Sequence, residues 1–261
     1  MVVARSAGVE RSADVVLALA RGDLLARYGR GPLRAVKWLL DPFFLVGVYL
    51  LLVSFVIHRS GTALGLSLAC AIVPFQLVIL TVMNALLSVA TRSSIIANMA
   101  FPRVLIPIAS CVTETIGFAS SLVLVVLMMA IYGVAPTVYV LWTPLLIAAT
   151  ILLAVAMAYP ASLVGIWFPE LYTLAVSAVR TLFFLAPGLV ALAQVHGTAA
   201  TLLRINPLSG LFEGFRASLL YGRTPAAWEF LVPLAWTAVL LAVFVPLYRR
   251  EQPQFAKLVV G

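Results

Sequence analysis

Charge is scarce in this sequence. Only 10% of its 261 residues are Asp, Glu, Lys or Arg, against about 25% in a soluble domain. With 64% hydrophobic residues and a mean hydropathy of +1.13, lipid must be the solvent for most of the chain. Cysteine and histidine are also sparse. Cys70 and Cys111 both fall inside apolar runs, which reads as small buried hydrophobes rather than a disulfide. His58 and His196 are far apart, and neither has a second ligand at helical spacing, so no metal site is expected. There is no Gly-x-x-x-x-Gly-Lys-Ser/Thr loop, so the chain cannot cradle a nucleotide phosphate by itself, and no cofactor is expected on it. A Gly-x-Ser-x-Gly elbow is missing too, and the nine acidic residues are too scattered for an enzyme acting on polyprenyl lipids.

The bases that do occur are placed unevenly. Arg5, Arg11, Arg21, Arg27, Arg30, Arg34 and Lys37 all precede the first long apolar run. Such a cluster holds a chain against anionic lipid and fixes its orientation, so the net charge of +8 points to a membrane surface and not to nucleic acid. The longest apolar piece before Lys37, "VVLALA", is too short for a signal-peptide core. The N-terminus is therefore expected to stay inside the cell, with the first span as an uncleaved signal.

A hydrocarbon core of about 30 Å needs about 20 apolar residues. Six segments qualify: Trp38–Ile57, Ala63–Ala90, Val104–Tyr132, Tyr139–Trp167, Leu171–Leu192 and Ala226–Tyr248. The expected fold is all-α, one integral membrane domain over residues 1–261. It comprises a cytoplasmic segment with an amphipathic interface helix (1–37), a six-span region (38–248) and a cytoplasmic tail (249–261). The inside set of bases continues with Arg92, Arg103, Arg249, Arg250 and Lys257, while Arg59, Arg204, Arg216 and Arg223 fall outside. That bias puts both termini in the cytoplasm.

The connection between the fifth and sixth segments is too polar and broken to cross, yet "INPLSGLFEGFRASLLYG" reads as a short helix. Asn206 can cap it, Pro207 sits at its first turn and Gly222 follows its end. Leu208, Leu211, Phe212, Phe215 and Leu219 form an apolar stripe, and Glu213 and Arg216 are neighbours at i, i+3. The preceding "APGLVALAQVHGTAATLL" bends at Pro187-Gly188. The short helix is expected to lie in the interface or dip into it, with the preceding segment re-entering on the same outer face; the alternative is an ordinary outer loop.

Two ionised groups remain within the spans. Glu114 lies about 16 Å along the third segment from Arg103, and Arg180 about 15 Å along the fifth from Glu170, which starts from the same face. A lone charge at that depth costs at least about 2.5–3.5 kcal/mol, so an interhelical Glu114–Arg180 pair is expected. The alternative is that either side chain lines a pathway.

Between the second and third segments stands "TRSSIIANMAFPR". Ser93 or Ser94 can cap a short helix, and Pro102 forces Phe101 out of helical geometry. Ile95, Ile96, Met99 and Phe101 make it apolar for a cytosolic loop. It reads either as an amphipathic turn on lipid or as a knob fitting a groove in a partner protein.

At this point the sequence resembles a known family, the permease subunits of ABC-2 type exporters, in the branch that exports lipid-linked polysaccharides such as O-antigen, teichoic acid and mycobacterial galactan. "LARGDLLARYGRGPLRAVKWLLDPF" is similar to the family's basic entry helix, and "NMAFPRVLIPIAS" to its Phe-Pro-Arg loop. "INPLSGLFEGFRASLLYG" and "PLYRREQPQFAKLV" are similar to its outer helix and closing motif. The four stand in the family's order, from about Leu17 to the end. Departures are Asp41-Pro42 where many relatives have Asn-Pro, and "WFPELY" where a charged motif follows the fourth span, leaving only Glu170 for its acidic part. With the arginine bias, these departures lean towards a galactan exporter.

The resemblance implies a homodimer in the bacterial inner membrane with two copies of a separate ABC ATPase, which bind the ATP and Mg. It makes Ser93, Ser94, Ile95, Ile96, Asn98, Met99, Phe101, Pro102 and Arg103 the helix that docks on the ATPase. Arg21, Arg27, Arg30 and Arg34 would meet the lipid headgroup. Asn206, Phe212, Glu213, Phe215 and Arg216 would belong to an outer gate. Sugar sliding over aromatic faces would use Phe43, Phe44, Tyr49, Phe55, Phe183 and Phe184, each of which also suits plain packing. The nearest alternative cargo is a drug, antibiotic or lipid. A secondary transporter would show paired repeats and coupling-ion ligands, and neither is found.

Overall fold

The computed structural model describes residues 2–28, isolated positions between 40 and 51, and residues 63–99, 101–189 and 191–255. Among them every regular element is helical and none is a strand. Helix α1 runs Val2–Tyr28, α2 Leu64–Thr91, α3 Ser93–Asn98 and α4 Leu105–Ile131. After a 3₁₀ turn at Val138–Trp142 come α5 at Thr143–Trp167 and α6 at Tyr172–Phe184. Then follow α7 at Thr198–Ile205, α8 at Pro207–Leu219 and α9 at Ala227–Glu251.

Helices α2, α4, α5 (with its leading 3₁₀ turn) and α9 are each long and apolar enough to cross a membrane. This is a multi-pass membrane protein. The first expected segment, Trp38–Ile57, lies almost wholly outside the described residues. The fifth, Leu171–Leu192, is not one continuous helix. Helix α6 has 13 residues, about 20 Å at 1.5 Å each, and ends in a turn at Leu185–Pro187. Pro187 cannot continue the helical ladder, and Gly188 sits so close to Phe183 that an added Cβ would lie 2.6 Å from its ring.

Helix α2 is the hub. Its apolar window is 72% buried, against 11% for α9, and it packs on α4, α5, α6 and α8. The tightest approach is at Gly165, where a Cβ would stand 1.8 Å from the carbonyl oxygen of Leu86. Small residues let membrane helices meet backbone to backbone in this way. Hydroxyls tie the same contact: Ser88 and Ser162 share a hydrogen bond of 3.2 Å, and Tyr248 of α9 lies 3.5 Å from Ser162. Gly210 serves α8 and α9 likewise, with the Glu229 carbonyl 2.8 Å from where its Cβ would be.

Candidate functional site

Polar side chains gather at two ends of this bundle. At the end carrying α1, the short helix α3 is wedged between α1 and the end of α9. Val16, Leu19, Ala20 and Leu24 form the buried stripe of α1, at the spacing of one helical face. Val16 and Leu19 pack with Ala109 of α4, and Ile95 and Phe101 cover them. Ile96 turns the other way and is buried with Ile106, Tyr159, Tyr248 and Phe255. The two isoleucines expected on an apolar knob therefore anchor the loop from within. Its outward side is Ser94, Asn98, Met99 and Pro102, with Met99 62% exposed. Neither Ser93 nor Ser94 caps α3, because the N-cap position falls on Arg92. Asn98 donates back to the Ser94 carbonyl at 2.8 Å.

Two arginines bracket the wedge. Arg92 is buried, ion-paired to Asp23 of α1, and donates to the Ser88 carbonyl at 3.1 Å. Thr113 of α4 donates to the same Asp23 oxygen at 3.2 Å, so α1, α2 and α4 meet at one carboxylate. Arg103 donates to the carbonyl of Gln252 at 2.6 Å, joining the loop to the end of α9. Met99, Phe101, Pro102, Arg103, Gln252 and Pro253 line an open cleft of about 300 Å³ there. The Asp23–Arg92 contact links residues 69 apart, and nothing in the sequence pattern signals it. We expect Asp23→Asn to strand a buried guanidinium whose Nε already has no acceptor. The loss should be about 3 kcal/mol. The measurement is limited trypsinolysis at the exposed Arg21, which should become rapid in Asp23→Asn and stay slow in a control at exposed Asp14.

The second cluster surrounds α8. Asn206 caps it by accepting from the Leu208 amide at 3.0 Å, and its own amide donates to the Leu182 carbonyl of α6 at 2.8 Å. All residues from Pro207 to Leu219 are buried, so α8 is enclosed on every side and does not rest a stripe on the interface. What permits this is Arg216, which is wholly buried and has every nitrogen bonded. Its Nε donates to the Ser67 carbonyl and hydroxyl at 3.2 and 3.1 Å. Its Nη1 donates to Glu213 at 2.8 Å and to the Pro187 carbonyl at 2.7 Å, and its Nη2 to the Gly188 carbonyl at 3.0 Å. Glu213 in turn accepts from the Leu192 amide at 2.9 Å. The expected i, i+3 pair is present, and it also satisfies the carbonyls freed by the break after α6. Phe212 and Phe215 are buried beside it.

The remaining candidates separate. Phe183 is buried and stacks on Phe75 and Phe212 at ring-centroid distances of 4.6 and 5.8 Å, so it is a packing residue. Phe184 is 61% exposed and Phe44 69%, while Phe43 is half-buried against the core. Tyr49, Phe55, Arg30, Arg34 and the side chain of Arg27 lie outside the described residues. The Glu114–Arg180 pair is not made. Glu114 is buried and accepts from Asn84 of α2 at 3.2 Å, whereas Arg180 is exposed on α6. Helix α6 packs on α2 and α5, whereas Glu114 of α4 turns to Asn84 of α2. A further cavity of about 590 Å³ lies between α6 and α9, lined by aliphatic side chains such as Val179, Leu182, Met157 and Leu240, with Asn206 and Trp236 at its edge.

Comparison with known proteins gives this geometry a context. An O-antigen export system permease protein RfbA of Myxococcus xanthus is 23% identical over 246 residues, covering 93% of this chain and 94% of that protein. A permease of the same name from Klebsiella pneumoniae is 20% identical over 247 residues, covering 94% and 95%. The chain is similar to O-antigen export permeases over most of its length. That bears out the resemblance carried by the four ordered motifs. No family model matches the chain.

Proposed function

We propose that this chain is the permease subunit of an ATP-driven ABC exporter. Its cargo is an O-antigen-type polysaccharide linked to polyprenyl pyrophosphate, moved from the cytoplasm across the inner membrane. Two copies of the chain pair with two copies of an ABC ATPase, which binds the ATP and Mg. The similarity to permeases of that name over nearly the whole chain carries this reading. In this reading both termini are cytoplasmic, six spans cross the membrane, and α7 and α8 re-enter from the outer side as a gate.

The way α3 is held supports a coupling role. Ile95 and Ile96 root it in two separate clusters, and Arg92 and Arg103 bind it to α1 and to the end of α9. A push on its outward side is thus passed to both helices and to α2, because close-packed interiors transmit displacement. Met99 beside the Phe101–Arg103 cleft is the apolar contact offered to the ATPase, in the helix-in-groove manner. Basic side chains of the N-terminal segment draw in the pyrophosphate. Met99→Asp is the clean test, since that side chain is exposed and its loss leaves the core intact. Capture of the ATPase by the tagged permease should fall about tenfold or more, with the permease's own melting temperature unchanged. Undiminished capture and export would remove the coupling role.

A further inference from the structure

Helix α6 has two unlike faces. Ala175, Val179 and Leu182 turn into the aliphatic cavity. Thr173, Ser177, Arg180, Thr181 and Phe184 follow at i, i+4, i+7, i+8 and i+11 on the other side, and all five are exposed. Their depth follows from two contacts. Phe183 stacks on Phe75, and Val179 shares the cavity with Val82, so Arg180 lies beside the middle of the 28-residue helix α2. An arginine turned to hydrocarbon at that level costs at least about 2.5–3.5 kcal/mol. Among the described residues no carboxylate pairs with Arg180, and no acid lies on α6. The exposed side also carries Leu174 and Leu185, and beside them its polar strip combines one cation, three hydroxyls and an aromatic ring, a set that complements an anion flanked by sugars.

We propose that this face lines the aqueous path and that Arg180 binds the pyrophosphate of the lipid-linked glycan as it passes. Thr173, Ser177 and Thr181 exchange hydrogen bonds with sugar hydroxyls, and Phe184 offers a stacking surface. The identity of the ligand rests on the function proposed above, whereas the aqueous exposure of the face does not.

The test uses the permease together with its ATPase in membrane vesicles. The native Cys70 and Cys111 are both buried, so a charged, water-soluble methanethiosulfonate reports on an introduced thiol. Arg180→Cys and Ser177→Cys should be labelled at least about tenfold faster than Val243→Cys, an exposed position on the apolar surface of α9. Undecaprenyl pyrophosphate should slow labelling of Arg180→Cys severalfold, and undecaprenol should not. Labelling at the Val243→Cys rate, or equal protection by both lipids, would overturn the proposal. In the assembled exporter Arg180→Gln should raise the undecaprenyl-pyrophosphate concentration for half-maximal ATPase stimulation about tenfold, with Arg180→Lys, which keeps the charge but not the planar fork, falling between Gln and wild type. Loss of the oligomer in Arg180→Gln would place the residue between copies of the chain and refute the assignment. Failure of the wild-type assembly to export glycan counts against the proposed function alone, because the labelling contrast is read without export.

Discussion

Arg216→Leu will leave little folded protein. The substitution removes every donor that reaches the Pro187 and Gly188 carbonyls and the Ser67 carbonyl from this side chain, and it leaves Glu213 buried without its cation. Breaking one partner of a buried pair costs about 3–5 kcal/mol, and each stranded carbonyl adds about 1–3. That sum, about 5–11 kcal/mol with the two loop carbonyls counted, is comparable to the whole stability of about 5–15 kcal/mol of a typical folded protein. Glu213→Gln should be milder, because a neutral amide can still accept from both Arg216 and the Leu192 amide. The double change Glu213→Gln with Arg216→Met should recover part of the loss, since removing both charges relieves the unpaired carboxylate. It should not recover all of it, because the carbonyls after α6 still lack donors. The yield of monodisperse protein and its melting temperature in detergent measure the series. A fully stable Arg216→Leu protein would mean that the cluster around α8 is not what holds the break after α6.

Gly165→Ala is the second large effect. Adding one methyl puts a carbon 1.8 Å from the Leu86 carbonyl oxygen, so α2 and α5 must part by more than about 1 Å. Overpacking a tight core usually costs about 1–3 kcal/mol, and a clash against backbone, which cannot rotate away, belongs at the upper end or beyond. The shift would also pull Ser88 from Ser162 and disturb Tyr248, so it should reach the region around α3 as well. Gly117→Ala is the matched control. Nothing lies within 4 Å of its added Cβ, and the change should be neutral or slightly stabilising, as alanine is the better helix former. Equal melting temperatures for the two variants would contradict the packing described at Gly165.

How much of this was legible in sequence depends on the range of the interaction. Asn206, Pro207 and Gly222 mark the ends of α8 through local rules, and the i, i+3 spacing exposes Glu213–Arg216; both stand in the structure. Long apolar runs found α2, α4, α5 and α9 for the same reason. The run from Leu171 to Leu192 is broken in the structure, and hydropathy alone does not show that its helix stops at Phe184 and gives way to a buried turn. Depth along two helices suggested that Glu114 and Arg180 could meet, but depth carries no information about azimuth, and α6 turns Arg180 away. The Asp23–Arg92 pair, the Asn84–Glu114 bond and the inward roots of Ile95 and Ile96 all depend on which helices become neighbours. Composition is silent on that.

The central claim is that this chain moves its cargo only when a separate ATPase grips the bend between α2 and α4. It is tested most directly by sealed vesicles holding purified permease, with or without the ATPase, loaded with lipid-linked glycan and supplied with ATP. The account predicts glycan crossing the bilayer only in vesicles that hold both proteins, and none there with Met99→Asp. Uphill movement of glycan by the permease alone, with or without an ion gradient, would contradict it.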